Sequence, residues 1–162
     1  MALPSLRPNA IAVYVYRPAL EAARAGRYDF LQIRRSAKAR GHRHSWQTVY
    51  GGVEAEGGRN GRETSLEAAL RELREETGLR PKRMFQVEYV EIFYFRASDE
   101  AFVMPVFGVE AEPGAVIVLN HEHDDSRWTR EEDIGRAFMW RTQREALAEL
   151  LRQLREPGEA QR

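Results

Sequence analysis

The segment from Thr64 to Leu79 constrains the fold most, because it predicts one amphipathic helix with defined ends. Thr64 and Glu67 have the spacing of a capping box, which satisfies the first free backbone N–H groups of a helix. Gly78 favours a left-handed helix end, and Pro81 opposes continuation. At about 100° per residue, the apolar and small residues fall on one stripe that we expect to be buried. The stripe contains Leu66, Ala69, Leu70, Leu73 and Thr77.

Three carboxylates form a second arc of the same helix. Glu72, Glu75 and Glu76 have i, i+3 and i+4 spacing, which makes their side chains neighbours. Such carboxylates repel one another, and Arg71 can relieve only part of that repulsion. Divalent cations such as Mg²⁺ would remove it, because hard cations take carboxylate oxygens and keep waters for a phosphate substrate. The alternative interpretation is a solvated acidic face on a surface helix, since such charge runs are common.

The segment from Glu63 to Leu79 resembles the Nudix box, G-x5-E-x7-R-E-U-x-E-E-x-G-U, where U is a bulky apolar residue. Every fixed position from Glu63 onward is matched. The preceding glycine departs from the pattern: Gly57 has the literal spacing, but Gly52 follows a strand-like segment and is the counterpart we expect. Residues 57–61 then form a loop insertion, which leaves open which backbone carbonyl helps to hold a metal.

This resemblance implies the Nudix fold and hydrolysis of a pyrophosphate bond with Mg²⁺, or alternatively Mn²⁺, as cofactor. It implies that Glu75 and Glu76 are metal ligands and that Glu72 is a ligand or the general base. A further glutamate of the family comes from a loop after the central strands, where this chain has Glu122. The catalytic candidates are Arg71, Glu72, Glu75, Glu76 and Glu122, and the metal-ligand candidates are Gly52, Glu72, Glu75, Glu76 and Glu122.

Arg71 has a different expected role from the glutamates. We expect it to orient them, through Glu63, rather than to contact the substrate. Glu63 is expected to be structural as well. A cluster of three or four carboxylates can hold cations and still leave one of them as a base, but the resemblance does not assign the base.

The composition is that of one soluble domain. The chain has 162 residues, 43% hydrophobic and 31% charged, and we expect an ordered core at about 9–155 and a flexible tail at 156–162. Lys plus Arg equals Asp plus Glu at 25 each, so no global basic excess favours a nucleic-acid partner. The absence of cysteine, of a signal peptide and of a membrane-spanning apolar run predicts a cytoplasmic protein that does not bind a membrane. A homodimer is left open.

Strand-like segments on both sides of the helix predict a largely β core of the α/β (α+β) class. They lie at 10–16, 28–34, 85–95, 101–109 and 115–119, and residues 80–84 are expected to be a connector. Pro105 predicts an edge or a bulge. The resemblance implies that these strands form the mixed sheet of an α/β/α sandwich.

Two more helices are predicted near the C-terminus. Capping boxes begin one helix at Thr129, ending before Ala137, and another at Thr142, continuing to about Leu154. The last helix has an apolar stripe that should pack on the core. It contains Ala146, Leu147, Leu150, Leu151 and Leu154.

A basic loop at 34–44 supplies candidates for contact with substrate phosphates. Arg34 and Arg43 offer bidentate contacts, and Lys38 offers a point charge. The alternative is a flexible, solvated loop. Trp46 and Trp140 are candidates to stack on a flat heterocycle, and the alternative for each is a core tryptophan. We take Arg34, Lys38, Arg43 and Trp46 as the substrate-binding candidates.

Three features resemble the branch of dihydroneopterin triphosphate and dATP pyrophosphohydrolases, which are MutT-like. They are the segment W-Q-x-V-x-G-x-V-E at Trp46, the pair Glu122-His123 before Trp128, and the segment M-W-R-T-Q-R-E-A-L from Met139. The implied substrate is a nucleotide or pterin triphosphate, cleaved to a monophosphate and pyrophosphate. A zinc site at residues 121–123 is a poorer interpretation, because alternating residues of an extended chain point to opposite sides.

Other substrates and one other class of function remain open. Within the family, the alternatives are dinucleoside polyphosphates, ADP-ribose, sugar nucleotides and capped RNA, the last kept open by the basic loop. Outside catalysis, the alternative is a silent Nudix fold used for binding. The full set of box glutamates argues against that alternative.

Overall fold

The computed structural model describes residues 5–7, 9–39, 42–56, 58 and 61–156. The strands are β1 (Ser5–Arg7), β2 (Ala10–Pro18), β3 (Tyr28–Arg35), β4 (Trp46–Gln47), β5 (Val49–Gly52), β6 (Pro81–Phe95), β7 (Glu100–Ala111) and β8 (His123–Arg130). The helices are α1 (Ser65–Thr77), α2 (Ile134–Ala137) and α3 (Arg141–Arg155), with short 3-10 turns at Ala22–Arg24 and Glu131–Asp133. Gly57, residues 59–60 of the predicted loop insertion and residues 157–162 of the predicted tail lie outside the described residues.

All of these strands belong to one mixed sheet. β7 pairs antiparallel with β6 on one side and parallel with β1 and β2 on the other. β2 continues the sheet through antiparallel pairing with β5 and β3, and β3 pairs with β4 and β8. The predicted mixed sheet is therefore confirmed.

β2 is apolar along most of its length because the sheet is covered on both faces. Ile11 and Val13 belong to one core cluster together with Leu73 of α1. Tyr14, on the opposite face, belongs to a second cluster together with Leu147 of α3. A strand buried on both faces has a continuous apolar run rather than an alternating one. Helices on the two faces give the predicted α/β/α sandwich.

Helix α1 has the predicted ends. The Thr64 hydroxyl accepts the backbone N–H of Glu67 at 3.2 Å, the Glu67 carboxylate accepts the backbone N–H of Thr64 at 2.9 Å, and Gly78 has a φ of +70°. The capping box and the left-handed end are therefore confirmed.

The buried side of α1 differs from the predicted stripe. Leu66 and Leu70 are 50% and 39% exposed, so the prediction was wrong for these two residues. The buried residues are Ala68, Ala69, Leu73, Glu76 and Thr77. The helix is rotated so that its acidic arc partly faces the sheet. Gly51 of β5 permits this rotation, because its missing side chain leaves room for Glu72.

The chain between α1 and β8 also differs from the prediction. β6 begins at Pro81, so residues 81–84 of the predicted connector are part of the strand; proline is tolerated as the first residue of a strand. Residues 115–119 have no regular secondary structure, so the strand predicted there is absent. Ile117 packs on the α1-side core, and the Val118 N–H donates to the Thr77 carbonyl at 2.9 Å. The sequence predicted a strand here, whereas the backbone partner of Val118 is the end of helix α1.

Smaller corrections concern a bulge and two helix starts. The β6–β7 register shifts between Gln86 and Val90, and Val90 lies opposite Pro105, which agrees with the predicted bulge. Thr129 lies within β8 and its hydroxyl donates to Gln32, so the predicted cap there does not form. α3 begins at Arg141 with Trp140 at its N-cap, so the cap predicted at Thr142 does not form; its Ala146, Leu147 and Leu150 are buried as predicted. Within the described residues, no helix is long and apolar enough to cross a bilayer.

Candidate active site

Arg71 and Glu63 form a bidentate ion pair beside the carboxylate cluster. The Arg71 guanidinium donates from Nε to Glu63 Oε1 at 2.8 Å and from Nη2 to Oε2 at 3.0 Å. Glu63 is buried and also accepts the backbone N–H of Glu54 at 2.7 Å. Arg71 foremost, with this N–H, holds the pKa of Glu63 below its usual range. A bidentate pair of this kind fixes the direction of the guanidinium.

The same guanidinium reaches two box glutamates and the end of β5. Nη1 donates to Glu72 at 2.8 Å and to Glu75 at 3.2 Å. Nη2 also donates to the Gly52 carbonyl at 2.8 Å. These contacts support the orienting role predicted for Arg71. Because one lone pair of the Gly52 oxygen is engaged, metal ligation by this carbonyl would need its other lone pair.

Glu76 is the most buried carboxylate of the cluster. It is 4% exposed, whereas Glu75 is an exposed residue of the same helix. Burial foremost, then the charges of Glu72 and Glu122, raises the pKa of Glu76 to about 9. Burial also raises the pKa of Glu72, and Arg71 lowers it in part. Glu72 and Glu122 therefore lie close enough to Glu76 for their charges to raise its pKa.

Glu122 approaches this cluster from the segment before β8. Its carbonyl accepts the backbone N–H of Ser36 at 2.8 Å, and its carboxylate lies 4.0 Å from Arg35 Nη1. Arg35 also lowers the pKa of Glu76, so it is a cation of the site that sequence reasoning missed. Arg34 was the residue selected instead. Neighbouring residues of a strand point to opposite sides, so only one of the two can face the cluster.

The cluster fits a divalent cation, although it is not a preformed cage. In the part of the chain that the structure describes, no three His, Cys, Asp or Glu side chains converge as a metal site. However, Glu76 Oε2 is buried and has no hydrogen-bond partner among those residues. A buried oxygen left unsatisfied is costly, and a hard cation such as Mg²⁺ or Mn²⁺ would satisfy it. The four glutamates thus remain the candidate ligands.

Of the predicted substrate-binding residues, Arg34 and Trp46 contact each other. Arg34 pairs with Asp124 at 2.7 Å, while Lys38 and Arg43 are exposed. The Trp46 ring is covered by two guanidinium groups, those of Arg34 at 5.6 Å and Arg127 at 4.1 Å from the ring centroid. With Arg34 already paired to a carboxylate, contact between these residues and a substrate stays a prediction.

A cavity of about 380 Å³ opens beside Gly51 and Gly52 of β5, next to the start of α3. Its size is within the range of small-ligand sites. Its apolar walls include Phe93, Phe102, Met104 and Trp140, and its polar lining includes Gln47, Tyr50, Glu91 and Thr142. Of the two tryptophans proposed to stack on a ring, Trp140 lines this cavity and Trp46 does not. Because a side chain on Gly51 would meet Glu72, the cavity and the carboxylate cluster share one strand.

The polar lining of this cavity was missed by sequence reasoning. Glu91 was only a polar residue within an apolar strand, but it is 1% exposed and therefore buried. It accepts hydrogen bonds from Tyr14 and from Tyr50, the latter at 3.0 Å. A charged residue that breaks the alternation of a strand was the one signal available. Its partners come from β2 and β5, and such long-range contacts leave no local pattern.

The sequence matches the family model of the NUDIX domain over residues 6–150. None of the curated proteins compared with the chain is a significant match. Solved structures of several relatives share the fold. The crystal structure of a C. elegans Ap4A hydrolase binary complex is 19% identical, with a TM-score of 0.66 and coverage of 90% of this chain and 96% of that chain.

Two further solved structures show the same fold. The MutT protein from Methanosarcina mazei Go1 is 21% identical, with a TM-score of 0.66 and coverage of 96% of this chain and 99% of that chain. The NUDIX domain of NrtR from Shewanella oneidensis, solved with ADP ribose, is 16% identical, with a TM-score of 0.65 and coverage of 97% and 90%. At these identities the similarity establishes the fold alone.

Proposed function

Because the chain belongs to the NUDIX domain family, we propose that this hydrolase is a magnesium-dependent pyrophosphohydrolase. Its proposed substrate is dihydroneopterin triphosphate or a deoxynucleoside triphosphate, and its products are the monophosphate and pyrophosphate. The choice of a triphosphate rests on the sequence resemblance at Trp46, Glu122-His123 and Met139.

The proposed reaction rests mainly on one observation, the unpaired buried oxygen of Glu76. It lies in a field made by Glu72 and Glu122, and nothing among the described residues hydrogen-bonds it. Bound Mg²⁺ ions would neutralise the carboxylates, screen the phosphates and lower the pKa of a water. Glu75 and Glu76 are the proposed ligands, and Glu72 or Glu122 is left to accept the proton of the attacking water.

Arg71 orients Glu63, Glu72 and Glu75 and leaves the Glu76 carboxylate available to a cation. It engages Glu63 with two donors and reaches Glu72 and Glu75 with a third nitrogen. The Glu76 carboxylate receives none of these bonds. Glu76 is therefore available to bind a cation, while Glu72 and Glu75 are oriented before the cation binds.

The cavity beside Gly51 supports a substrate with a flat ring next to its phosphates. A ring in the cavity would lie near Trp140, and phosphates leaving the cavity past Gly51 would meet Glu72. The cavity volume suits one bicyclic ring, which favours a mononucleotide-like or pterin substrate. Arg35, 4.0 Å from Glu122, is a nearby cation for a phosphate.

Product analysis tests the proposal. The purified protein is incubated with Mg²⁺ and a panel of dihydroneopterin triphosphate, the deoxynucleoside triphosphates, Ap4A, ADP-ribose and capped RNA. Phosphorus NMR and chromatography identify the products. We expect monophosphate and pyrophosphate from a triphosphate. Cleavage of Ap4A, ADP-ribose or capped RNA alone would retain the hydrolase and reject the triphosphate, and no turnover with Mg²⁺ or Mn²⁺ would favour a binding protein.

A further inference from the structure

A chain of hydrogen bonds fixes which way the Gln47 amide faces. The Asn120 Oδ1 accepts the backbone N–H of Glu122 at 3.0 Å and lies 3.2 Å from His123 Nδ1. Since an amide oxygen only accepts, His123 must carry its proton on Nδ1. In the neutral imidazole, Nε2 is then an acceptor, and it lies 3.4 Å from Gln47 Nε2. The Gln47 amide nitrogen therefore points to His123, which leaves its oxygen for a ligand in the cavity.

Glu91 adds a second acceptor to the cavity. Its two oxygens accept the hydroxyl protons of Tyr14 and Tyr50, and the Thr142 hydroxyl also hydrogen-bonds this carboxylate. A carboxylate has about four acceptor positions, so one stays open for a ligand. Tyr50 cannot donate outward, because its proton is used on Glu91, and it accepts the Gln143 amide at 3.1 Å. The polar lining thus offers acceptors on Gln47 and Glu91.

An aromatic wall stands beside these acceptors. The Trp140 ring packs edge-to-face against Phe93 and against His42, each at 5.3 Å between centroids. Such packing holds the indole in place, and Trp140 contributes an apolar surface to the cavity. A planar ring that stacks on this surface and has hydrogen-bond donors on one edge would satisfy both parts of the lining.

We propose that this cavity selects a ring with two adjacent N–H donors, the 2-amino-4-oxo edge shared by guanine and pterins, through Gln47 and Glu91. This inference rests on the proposed function, since it names the ring of that substrate. Adenine offers one N–H donor next to a ring nitrogen that is itself an acceptor. Against this lining, the acceptor nitrogen of adenine would face another acceptor. Both atoms would then lack a hydrogen bond, which lowers affinity.

Equilibrium binding tests this selectivity without turnover. Calorimetry with Mg²⁺ compares α,β-methylene dGTP with α,β-methylene dATP, which share the phosphates and differ in the ring. We expect the wild-type protein to bind the guanine analogue about tenfold more tightly, the size of one well-made hydrogen bond to a charged group. Glu91→Gln replaces one acceptor oxygen by a donor and should remove most of this preference, and Gln47→Leu should reduce it.

Glu88→Gln is the matched control, because Glu88 lies on the same strand with an exposed side chain that pairs with Arg152. It should keep the preference of the wild-type protein. Equal binding, a preference for adenine, or no binding of either analogue by the wild-type protein would overturn the inference. A guanine preference that survives in both Glu91→Gln and Gln47→Leu would also overturn it. Hydrolysis of triphosphates without ring preference would leave the proposed function standing.

Discussion

The side chain of Glu72 on α1 fills the space that a side chain on Gly51 of β5 would need. A Cβ atom on Gly51 would fall 2.1 Å from Glu72 Cγ and 2.2 Å from its Cδ. Non-bonded carbon atoms cannot approach so closely. The absence of a side chain at one position therefore sets the place of a carboxylate on another element, where Arg71 then holds it at 2.8 Å.

Gly51→Ala should displace Glu72 and reduce turnover. Small displacements of a reacting group are expensive, so we expect kcat to fall by about 10- to 100-fold. The fold should survive, because the contact is with a side chain that can rotate. Steady-state kinetics and thermal unfolding measure the two effects. Gly135→Ala is the control, since a Cβ there meets nothing within 4 Å; equal kcat in both variants would contradict the argument.

Arg71→Lys should lower both activity and stability. Lysine cannot reproduce the bidentate contact with Glu63 while reaching Glu72, Glu75 and the Gly52 carbonyl. Glu63 is buried, so its loss of partners should reduce the free energy of unfolding by about 1–3 kcal/mol. Urea denaturation in a chelator isolates this effect from metal binding. A variant with wild-type stability and wild-type kcat would exclude the orienting role.

Leu73→Ala and Leu70→Ala compare two leucines on one helix with opposite exposure. Leu73 is fully buried, so its truncation should cost about 2–5 kcal/mol of unfolding free energy. Leu70 is 39% exposed, and its truncation should cost less than about 1 kcal/mol. Chemical denaturation of both variants measures the difference. Similar costs would mean that α1 packs through the stripe expected from the sequence.

Glu91→Gln should alter how stability depends on pH. Burial foremost raises the pKa of Glu91 above its usual value of 4.5, and the hydroxyls of Tyr14, Tyr50 and Thr142 oppose the rise. The folded state then holds this proton more tightly than the unfolded state. The contribution is present below pH 4.5 and is lost as pH rises through the folded pKa.

The wild-type free energy of unfolding should therefore decrease more steeply than that of Glu91→Gln as pH rises from about 4.5 toward neutrality. Denaturation series in a chelator at several pH values give the two slopes. The comparison of slopes does not depend on any constant loss of hydrogen bonds in the variant. Parallel slopes would show that Glu91 has the same pKa in the folded and unfolded states.

Local patterns predicted much of this fold. The ends of α1 follow from Thr64, Glu67 and Gly78, whose effects act within one helical turn, and the structure has all of them. The apolar runs of β2 and β3 likewise predicted strands that are present. What failed depends on contacts across the sheet. The exposure of Leu66 and Leu70 follows from the approach of α1 to Gly51, which no spacing within the helix reveals.

The candidate site also combines residues that could be predicted from the sequence with residues that could not. The cluster of Glu72, Glu75 and Glu76 could be predicted, because one helix presents all three. The cavity could not, because Gln47, Glu91 and Trp140 come from distant segments. Residues 115–119 illustrate the limit: they were predicted to be a strand, but the backbone partner of Val118 is the end of α1.

The most direct test of the central claim is the turnover of Glu76→Gln, measured with Mg²⁺ on the best triphosphate substrate. Glu149→Gln, an exchange on α3 far along the sequence from the box, is the control, and circular dichroism confirms that both variants are folded. The account predicts that Glu76→Gln lowers kcat by about 100-fold or more, because the buried ligand has lost its charge, while the control keeps wild-type kcat. A folded Glu76→Gln variant that retains most of the activity would contradict the assignment of the carboxylate cluster.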